Sequence, residues 1–565
     1  RYSVSEMLYD GKSTDRFSQD TSPFLHPACG LAAKRESHLD KHRKIGTIRR
    51  LFQRKDAPAK AWRPQAMQVC PDTGHSESLE KLLPTLAVTG GGNVFPNRCT
   101  CDSRRVEPGD LFVAVEGTQH DGHDHVADAV ARGCVAVIAQ RALPEFGVPV
   151  IQVPNSREAF GHLCQALAGN PSRQLKLVGV TGTNGKTTTS CLIAGILSRA
   201  GHKVGVLGTL GYFDGEEAED APWTTPPADQ LACWLARMVR NECTHAVMGV
   251  SSHALDQRRV AGIRFDAACV TNVTHDHLDY HRSPAEYRAA KARLLRQMPP
   301  EGFAVINADD PVSSGYLKEM DGPVLTIGID SPAEVTAILV GRSLSEQTFL
   351  LSAGSETVPV RTRMIGTHHM YNCLVAAAVG LTYGIDLVTV ARGLEAAGHV
   401  PGRLERIECG QPFGVFVDYA HTPDALDKVL TTLREVTAGR LICVFGCGGD
   451  RDVQKRPIMG RIAEQKADRI VLTSDNPRTE DPEAILANIL QGIDRPNSVR
   501  VQPDRATAIR QALAMARPDD CVLIAGKGHE NYQVIGHQHI PMDDAEIARQ
   551  WLYIEQPYAS PQEAA

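Results

Sequence analysis

The sequence predicts an α/β protein with parallel sheets, and three observations support this fold class. Short apolar runs recur along the chain, each followed by a loop rich in Gly, Asp, His or Arg and then by a helical segment. Aromatic residues are only 5% of the composition, whereas glycines number 48 and prolines 34. This balance favours many tight turns over an aromatic-rich β-sandwich. At about 150 residues per domain, the 565 residues predict three or four domains.

Composition excludes several classes of protein. Hydrophobic residues are 42% and charged residues 22% of the chain, so global disorder is excluded. No run of about 18 apolar residues predicts a membrane-spanning helix, and the N-terminus lacks the pattern of a secretory signal. The net charge of −6 argues against general nucleic-acid binding. Fifteen scattered cysteines are typical of reduced thiols in a cytoplasmic protein, and no paired Cys motif predicts zinc.

The first 74 residues have no sustained apolar periodicity. Residues 1–70 contain 14 Lys and Arg but 7 Asp and Glu, which gives this segment a charge of +7. We interpret residues 1–74 as a basic, disordered extension. A basic arm for an acidic partner or a membrane surface is the alternative, and no amphipathic pattern favours it.

Residues 75–172 are predicted to alternate short strands and helices. The runs "DLFVAV" at 110–115 and "CVAVIAQ" at 134–140 are typical of buried strands. The segment 123–133 between them has helical spacing and ends on a glycine, as many helices do. We expect this part to form a domain of its own.

Two further α/β segments follow. Residues 173–402 begin with an apolar strand from Leu175 to Val180, which leads into a glycine-rich turn and a helix that ends near Gly201. Residues 403–565 contain four more apolar strands followed by polar loops. The loops of a parallel sheet gather at its carboxyl edge, where ligands bind. The sequence therefore predicts chemistry on the strand-end loops of both segments.

The turn after the Leu175–Val180 strand predicts a phosphate-binding loop. Its residues are Gly182, Thr183, Asn184, Gly185, Lys186 and Thr187. Glycines let backbone N–H groups approach phosphates, and the following helix N-terminus adds positive potential. In such a loop Lys186 reaches the terminal phosphates and the Thr187 hydroxyl binds Mg²⁺. Val180 stands where the strict P-loop pattern has its first glycine, so a turn with an exposed lysine is the alternative.

The run "GVTGTNGKTTT" resembles the ATP loop of the Mur ligase family, the ATP-dependent amide-forming enzymes of peptidoglycan precursor synthesis. Further family motifs follow in order: "SSHALDQRRV", "TNVTHDHLDYH", "VPGRLERI", "DYAHTPDAL", "FGCGGDRDVQKRP", "DNPR" and "GKGHENYQ". The resemblance extends from about Asp102 to Asp544. "TCDSRRVEPGDLFVAVEG" and "SDNPRTEDP" are similar to the MurE type, which extends UDP-N-acetylmuramoyl-L-alanyl-D-glutamate. "DNPR" resembles the enzymes that add meso-2,6-diaminopimelate.

The resemblance implies a three-domain architecture with a P-loop central ATPase domain and a C-terminal Rossmann-like domain. It implies that the γ-phosphoryl group of ATP moves to a carboxylate and that an amine attacks the acyl phosphate. ATP and Mg²⁺ are the implied cofactors, and cations should surround the phosphoryl group. The implied ATP-binding residues are Gly182, Thr183, Asn184, Gly185, Lys186, Thr187, Thr188, Arg403, Asp418 and His421.

The resemblance also implies a catalytic and metal-binding set. Lys186 is expected to act on the phosphoryl group, Thr187 to bind one Mg²⁺, and His277 to bind a second. Lys291 is expected to be carbamylated and to bind the second ion as well, which requires a lowered amine pKa. From the residues alone, Lys291 would be a solvated helix charge and His277 a loop histidine bonded to a neighbouring Asp.

Two substrate sites are implied in the same way. The residues implied to bind the UDP-substrate are Ser103, Thr118, Gln119, His120, Thr224, Thr225, Ser251, Gln257 and Arg259. Those implied to bind the incoming amino acid are Arg451, Asp475, Asn476, Pro477, Arg478, Gly526 and Glu530. In this scheme Arg478 holds the distal carboxylate of diaminopimelate, and Glu530 with the Gly526 carbonyl receives its ammonium.

The sequence departs from the family pattern at three positions. Gly249 stands where the family has a metal-binding Glu, His369 replaces an Asn near the adenine, and Trp223 replaces the Asn before a Thr-Thr pair. An inactive nucleotide-binding scaffold is therefore one alternative function. An L-lysine-adding ligase and a folylpolyglutamate synthase are two others. We expect a cytoplasmic monomer that acts on the UDP-N-acetylmuramoyl-dipeptide and meso-diaminopimelate, with no nucleic-acid partner and no membrane insertion.

Overall fold

The computed structural model describes residues 78–83, 94–117, 120–274, 276–277 and 279–555. The predicted extension of residues 1–74 lies outside this part of the chain, and so do Thr118 and Gln119. The described residues belong to one unit and form three main sheets and a small hairpin. We call the main sheets the N-terminal, central and C-terminal sheets.

The N-terminal sheet has four parallel strands in chain order. Its strands are β1 (Arg98–Thr100), β2 (Asp110–Val113), β3 (Ala136–Ala139) and β4 (Val150–Gln152). Its helices are α1 (Leu79–Leu82), α2 (Val126–Ala131) and α3 (Ser156–Leu167). The helix predicted at 123–133 is shorter in the structure, because residues 122–125 form a 3₁₀ turn. Asn155 caps α3 by accepting a hydrogen bond from the Glu158 amide.

The central sheet has eleven strands, ordered β15-β14-β13-β12-β11-β10-β5-β9-β6-β7-β8. The strands are β5 (Lys176–Thr181), β6 (Val204–Gly208), β7 (Gly211–Phe213), β8 (Ala218–Glu219), β9 (His245–Gly249), β10 (Ala267–Val270), β11 (Phe303–Asn307), β12 (Val324–Gly328), β13 (Val335–Arg342), β14 (Gln347–Ala353) and β15 (Glu356–Thr362). The helices are α4 (Lys186–Arg199), α5 (Ala228–Arg240), α6 (Ser252–Asp256), α7 (Pro284–Ala292), α8 (Pro311–Gly315), α9 (Thr367–Thr382) and α10 (Leu387–Ala396). Strands β9, β5 and β10 are parallel neighbours, so the loops that follow them meet at one edge.

Helix α4 is the centre of the central core. It follows β5 directly and is buried from Thr187 to Leu197, because α9 and α10 pack against it on the side away from the sheet. An almost continuous apolar sequence, "CLIAGIL", supplies this contact surface. The loop before α4 is therefore attached at both ends to rigid elements.

The C-terminal sheet has six strands, ordered β16-β17-β21-β18-β19-β20. The strands are β16 (Glu405–Arg406), β17 (Gly414–Asp418), β18 (Leu441–Phe445), β19 (Arg469–Leu472), β20 (Arg500–Val501) and β21 (Cys521–Ala525), and the hairpin adds β22 (Tyr532–Ile535) and β23 (Gln538–Pro541). The helices are α11 (Pro423–Val436), α12 (Lys455–Lys466), α13 (Pro482–Leu490), α14 (Arg505–Ala514) and α15 (Asp544–Gln550). Pairing is parallel except between β16 and β17. The loops after β17, β18, β19 and β21 consequently share one edge.

The predicted domain boundaries at 172/173 and 402/403 stay predictions. Each lies in a segment between sheets, since β4 ends at Gln152 before β5 begins at Lys176, and β15 ends at Thr362 before β16 begins at Glu405. In the described part of the chain, no helix combines the length and apolar character that crossing a membrane requires.

A fully buried ion pair supports the edge of the C-terminal sheet. The Arg505 guanidinium donates to both carboxylate oxygens of Asp544, with Nε–Oδ1 of 2.8 Å and Nη2–Oδ2 of 2.7 Å, and both side chains are 0% exposed. Arg505 Nη2 also donates to the Ala525 carbonyl at the end of β21. The pair thus fixes α15 to the strand end from which the loop at Gly526 starts.

We expect Asp544→Asn to lower the free energy of unfolding by about 3–5 kcal/mol, because it leaves the Arg505 charge buried without a counter-ion. Thermal and urea unfolding of the full chain measure this loss. Glu319→Gln is the matched control, since it breaks the exposed Arg296–Glu319 pair and should cost less than about 1 kcal/mol. Equal effects of the two substitutions would contradict the prediction.

Candidate active site between the central and C-terminal sheets

The predicted phosphate loop lies between β5 and α4, as expected. Gly182 has φ +151°, and a Cβ atom there would lie 1.9 Å from Thr271 Oγ1, so only glycine fits. The loop is held by its neighbour after β10, where the Asn272 carbonyl accepts from the Thr183 amide at 2.8 Å. Asn272 also accepts from the Asn184 amide, and this packing places the N-terminus of α4 at the sheet edge, which suits a phosphate.

The Nζ atoms of two lysines share one carbonyl oxygen in this loop. Lys186 Nζ lies 2.8 Å and Lys291 Nζ 2.7 Å from the oxygen of Gly182. Burial lowers the pKa of Lys186 to about 8, and Asp276 is the acid whose charge opposes that change. An ammonium group at this loop fits a polyphosphate, because it offers a positive charge to the terminal phosphates.

Lys291 corrects an expectation based on its residue pattern alone. Its helical spacing indicated a solvated charge, but the side chain is 1% exposed and lies over the Tyr287 ring. The helix turns Lys291 toward the phosphate loop, and the sequence pattern does not show which face of α7 packs inward. Burial, together with the Lys186 charge, holds the pKa of Lys291 well below its usual value. A neutral amine is the form that carbamylation requires.

His277 follows β10 in a left-handed conformation, with φ +53°. Its amide donates to Asp276 Oδ1, which matches the loop histidine expected from the residues alone. Burial lowers the pKa of His277 to about 3, so the imidazole is neutral and able to bind a metal ion. His253 lies against it, with ring centroids 4.8 Å apart.

The site fits Mg²⁺ only together with phosphate oxygens. Among the described residues, no three His, Cys, Asp or Glu side chains form a group that could hold a metal ion. Mg²⁺ ordinarily binds one or two protein ligands, substrate phosphates and water. The Thr187 hydroxyl, neutral His277 and carbamylated Lys291 would supply that limited set, and the buried amine of Lys291 is the observation that supports it.

Arg403 connects the two large sheets. Its Nη2 lies 3.3 Å from Thr187 Oγ1, its guanidinium stacks on the Tyr419 ring at 4.5 Å, and its buried Nε has no partner among the described residues. Burial lowers the pKa of Arg403. A buried guanidinium without a paired carboxylate fits a phosphate ligand.

Asp418 is the last residue of β17, and His421 lies on the loop that follows it. Asp418 accepts from the amides of Leu404 (2.6 Å) and Ala420 (2.8 Å), and burial raises its pKa to about 6. His421 Nδ1 lies 2.7 Å from the Tyr419 carbonyl. Asp418 therefore shapes this loop in addition to any contact with a nucleotide.

A second connection was not predicted. Asn184 Nδ2 donates to Asp424 Oδ2 at 2.8 Å, and Lys428 Nζ lies 2.9 Å from the same oxygen. Asp424 is the second residue of α11, where an acidic residue is common in any helix, so the sequence gives no sign of this contact. Only the tertiary structure brings this carboxylate to the phosphate loop.

The residues implied to bind the dipeptide part of the UDP-substrate form one network. Thr225 Oγ1 donates to the Gly249 carbonyl and accepts from the Ser251 amide, while Arg259 Nη1 donates to the Thr225 carbonyl. Gln257 Oε1 accepts from Arg259 at 3.0 and 2.7 Å. No carboxylate of the described residues pairs with Arg259, so its guanidinium remains available for a ligand carboxylate.

The remaining residues of that predicted site precede Thr225 in the chain. Ser103 is buried in a 3₁₀ turn after β1, and His120 is exposed beside the loop that follows β2. Thr118 and Gln119 lie outside the described residues. Thr224 Oγ1 lies 3.2 Å from Thr209 Oγ1, which in turn contacts Thr187.

The predicted amino-acid residues meet at the carboxyl edge of the C-terminal sheet. Asn476 Nδ2 donates to Glu530 Oε2 at 2.9 Å, and the buried Oδ2 of Asp475 has no partner among the described residues. Gly526 has φ +115°, and a Cβ atom there would lie 2.5 Å from Asp475 Oδ2. Arg451 is exposed at the rim of this pocket.

Arg478 adopts the left-handed conformation, with φ +53°, after Pro477. The hairpin fixes it there, because the Arg478 amide donates to the Val534 carbonyl and the Arg478 carbonyl accepts from Gly536. Its Nη1 donates to the Gly449 carbonyl at 2.7 Å, and no carboxylate of the described residues forms an ion pair with it. The guanidinium is half-buried and presents unused donors to the pocket.

The chain matches known families along nearly its whole described length. Residues 97–167 match the family described as "Mur ligase family, catalytic domain", residues 180–380 the "Mur ligase middle domain", and residues 402–528 the "Mur ligase, glutamate ligase domain". UDP-N-acetylmuramoyl-L-alanyl-D-glutamate–2,6-diaminopimelate ligases of Syntrophomonas wolfei and Gloeobacter violaceus are 43% and 46% identical. Each alignment covers 80% of this chain, and 93% and 92% of the respective relative.

The chain belongs to the Mur ligase family. A solved structure of a ligase with the same name has a TM-score of 0.62 and 33% identity, and it covers 84% of this chain and 98% of that chain. The recognition of the family, the three-domain α/β fold class and the assignment as an ATP-dependent ligase with Mg²⁺ are thereby confirmed. The roles of individual residues stay predictions.

The structure shows where the three departures from the Mur ligase pattern lie. A Cβ atom on Gly249 would lie 3.2 Å from Thr224 Cγ2 and 4.0 Å from Lys186 Cβ, so a side chain there would face the phosphate loop. The pKa of buried His369 is lowered to about 3 by burial, and its Nε2 has no partner in the described part of the chain. Trp223 is partly exposed, and its carbonyl accepts from the Tyr212 hydroxyl at 2.6 Å. The negative charge of Asp276 acts to raise the pKa of both Lys186 and Lys291, against the effect of burial.

Proposed function

We propose that this Mur ligase joins meso-2,6-diaminopimelate to UDP-N-acetylmuramoyl-L-alanyl-D-glutamate, with ATP converted to ADP and phosphate. The unpaired, half-buried guanidinium of Arg478 is the observation that carries the choice of amino acid. The names of the relatives that are 42–46% identical support the same reaction. We also propose that the enzyme acts as a monomer in the cytoplasm, where ATP and UDP-linked precursors occur.

Chemistry in this site begins with the positioning of the substrate carboxylate. Arg259, fixed by Gln257 and the Thr225 carbonyl, can bind a carboxylate of the dipeptide through the donors that remain free. Its network joins Gly249 at the end of β9, next to β5 and the phosphate loop. The glutamyl group would thus lie beside the γ-phosphate of ATP.

Charge compensation is the second step. As the phosphoryl group moves to the carboxylate, negative charge spreads over its oxygens. Lys186, at the Gly182 carbonyl, and Arg403, at the Thr187 hydroxyl, would oppose that charge. Bound Mg²⁺ would supply further Lewis-acid stabilisation through Thr187, His277 and carbamylated Lys291. Arg403 and Asp424 contact the phosphate loop from the C-terminal part of the chain, and this closure would help to exclude water from the acyl phosphate.

Amine attack completes the reaction. Arg478 would hold the distal carboxylate of diaminopimelate with two parallel donors, and Glu530 would receive the distal ammonium. L-Lysine lacks that carboxylate and would leave Arg478 unpaired, at a cost of roughly 2–5 kcal/mol in a dry site. The geometry therefore favours diaminopimelate.

A panel of amino acids tests the proposed function. Phosphate release is measured with the UDP-linked dipeptide, ATP, Mg²⁺ and, in turn, meso-diaminopimelate, L-lysine and L-glutamate. Rapid release only with diaminopimelate, and a product of the corresponding mass, supports the proposal. Preference for lysine would overturn the specificity, and activity on a folate with glutamate would indicate a folylpolyglutamate synthase. No phosphate release with any amino acid would indicate an inactive scaffold.

Arg478→Ala is expected to lower kcat/KM for diaminopimelate by roughly 30- to 5000-fold, because truncating one partner of a desolvated charge pair costs about 2–5 kcal/mol. The slow reaction with L-lysine should change less. Arg451→Ala, at the exposed rim of the same pocket, is the comparison and should cost less than Arg478→Ala. Equal loss for both amino acids in Arg478→Ala would show that Arg478 organises the loop instead of reading the carboxylate.

A further inference from the structure

Lys527 is a buried cation in the amino-acid pocket. It is not among the residues predicted to bind the amino acid. It lies between Gly526 and Gly528, directly after β21, and its side chain is 0% exposed. Its Nζ donates to Asn476 Oδ1 at 3.0 Å and to Glu530 Oε2 at 2.9 Å. A lysine this deeply buried persists only because both contacts compensate its charge.

Lys527 determines which atoms of Glu530 are available to a ligand. Glu530 Oε2 accepts from both Lys527 Nζ and Asn476 Nδ2, at 2.9 Å each. Among the described residues, the one hydrogen-bond partner of Glu530 Oε1 is the Tyr419 hydroxyl, at the long distance of 3.4 Å. One carboxylate oxygen therefore faces the pocket, and the other is occupied by the protein's own cation.

Lys527 also fixes the orientation of the Asn476 amide. Asn476 Oδ1 accepts from Lys527 Nζ and from the Val534 amide at 2.9 Å, so its Nδ2 must point toward Glu530. The Val534 contact joins this group to the hairpin that holds Arg478. The cation thus organises both halves of the pocket.

The pocket is close to neutral because of Lys527. Within the described residues, Lys527 is the ion-pair partner of Glu530, and Arg505 is paired with Asp544. Apart from Arg451, which is exposed to solvent at the rim, what remains is the Arg478 cation and the Asp475 carboxylate, whose Oδ2 has no partner among the described residues. A ligand end with one ammonium and one carboxylate adds no net charge to this arrangement, whereas a lone ammonium adds a second cation beside Lys527.

We propose that Lys527 is a positioning residue that makes the pocket select a zwitterionic substrate end over a lone ammonium. It does so by neutralising Glu530 and leaving one oxygen for the ligand. The inference rests on the proposed function for the identity of the two amino acids. It assigns to Lys527 a repulsive role against cations such as the L-lysine ε-ammonium, separate from the attraction that Arg478 exerts on a carboxylate.

Variants that remove or keep the charge of Lys527 test this role, and the measured quantity is a ratio of specificity constants. We define the ratio as kcat/KM for L-lysine divided by kcat/KM for meso-diaminopimelate, measured in the full chain. Lys527→Met should raise the ratio at least about tenfold, since a like charge beside the incoming ammonium is removed and Glu530 is left free. Lys527→Arg, which keeps the charge, should change the ratio less than about threefold. Lys203→Met, which removes a cation paired with Glu216 at the surface, should leave it unchanged.

Two further variants keep the test decisive if Lys527→Met folds poorly. Glu530→Gln should lower the ratio, because it leaves Lys527 unneutralised, and the double variant Lys527→Met with Glu530→Gln should return it toward wild type. Equal losses for both amino acids in Lys527→Met, or an unchanged ratio in Glu530→Gln, would overturn the proposal. A wild type that prefers L-lysine would refute the proposed function but not the role of Lys527, because the shifts of the ratio in the variants can still be measured.

Discussion

Lys186→Ala is expected to reduce ATP-dependent product formation by about a thousandfold or more. The Lys186 ammonium donates hydrogen bonds to the carbonyls of Gly182 and Thr183. This places it at the N-terminus of α4, where we expect the terminal phosphates to bind. Its charge opposes the charge that develops on the transferring phosphoryl group, and removing one such group from a dry site typically costs several kcal/mol. Coupled release of phosphate measures the loss.

The control for Lys186 lies on β5, the strand that leads into the phosphate loop. Lys176 starts β5 at the opposite edge, with a 59% exposed side chain paired to Asp266, so Lys176→Ala removes the same charge far from the loop. It should retain nearly full activity. Binding of the UDP-linked dipeptide should survive in Lys186→Ala, since Arg259 and its network are untouched. Turnover of Lys186→Ala within tenfold of wild type would contradict the assignment.

Lys291→Ala is expected to be inactive, and bicarbonate supplied with short carboxylic acids should partly restore activity. The side chain is buried at the phosphate loop, and its lowered pKa provides the neutral amine that reacts with CO₂ to form a carbamate. Loss of that carboxylate-like group should cost at least a hundredfold in kcat, because a ligand of the second Mg²⁺ is absent. A small acid such as acetate or propionate can occupy the space left by the truncated side chain.

Lys291→Arg separates the carbamate from the positive charge. Arginine keeps the cation but is not carbamylated, so this variant should be inactive and should not respond to added acids. Melting temperatures of the three proteins exclude unfolding as the cause. Full activity of Lys291→Ala, or of Lys291→Arg, would mean that the lysine is not a metal ligand.

Several features follow from local sequence, and the structure agrees with them. The apolar run before Gly182 and the glycine-rich turn predicted a strand, a phosphate loop and a helix, because these depend on neighbouring residues only. The same holds for the four strand-end loops of the C-terminal sheet, each signalled by an apolar run and a polar loop. Motif order was sufficient to recognise the Mur ligase family.

Other features depend on residues far apart in the chain. Lys291 has the spacing of a surface residue, yet packing of α7 brings its amine to the Gly182 carbonyl, 109 positions away. Asp424 reaches Asn184 across 240 positions, and Lys527 reaches Asn476 across 51. Periodicity reports which face of an element is apolar, but not which element covers it. Burial, and with it the lowered pKa of Lys291 and the pairing of Lys527, is therefore decided by the tertiary structure alone.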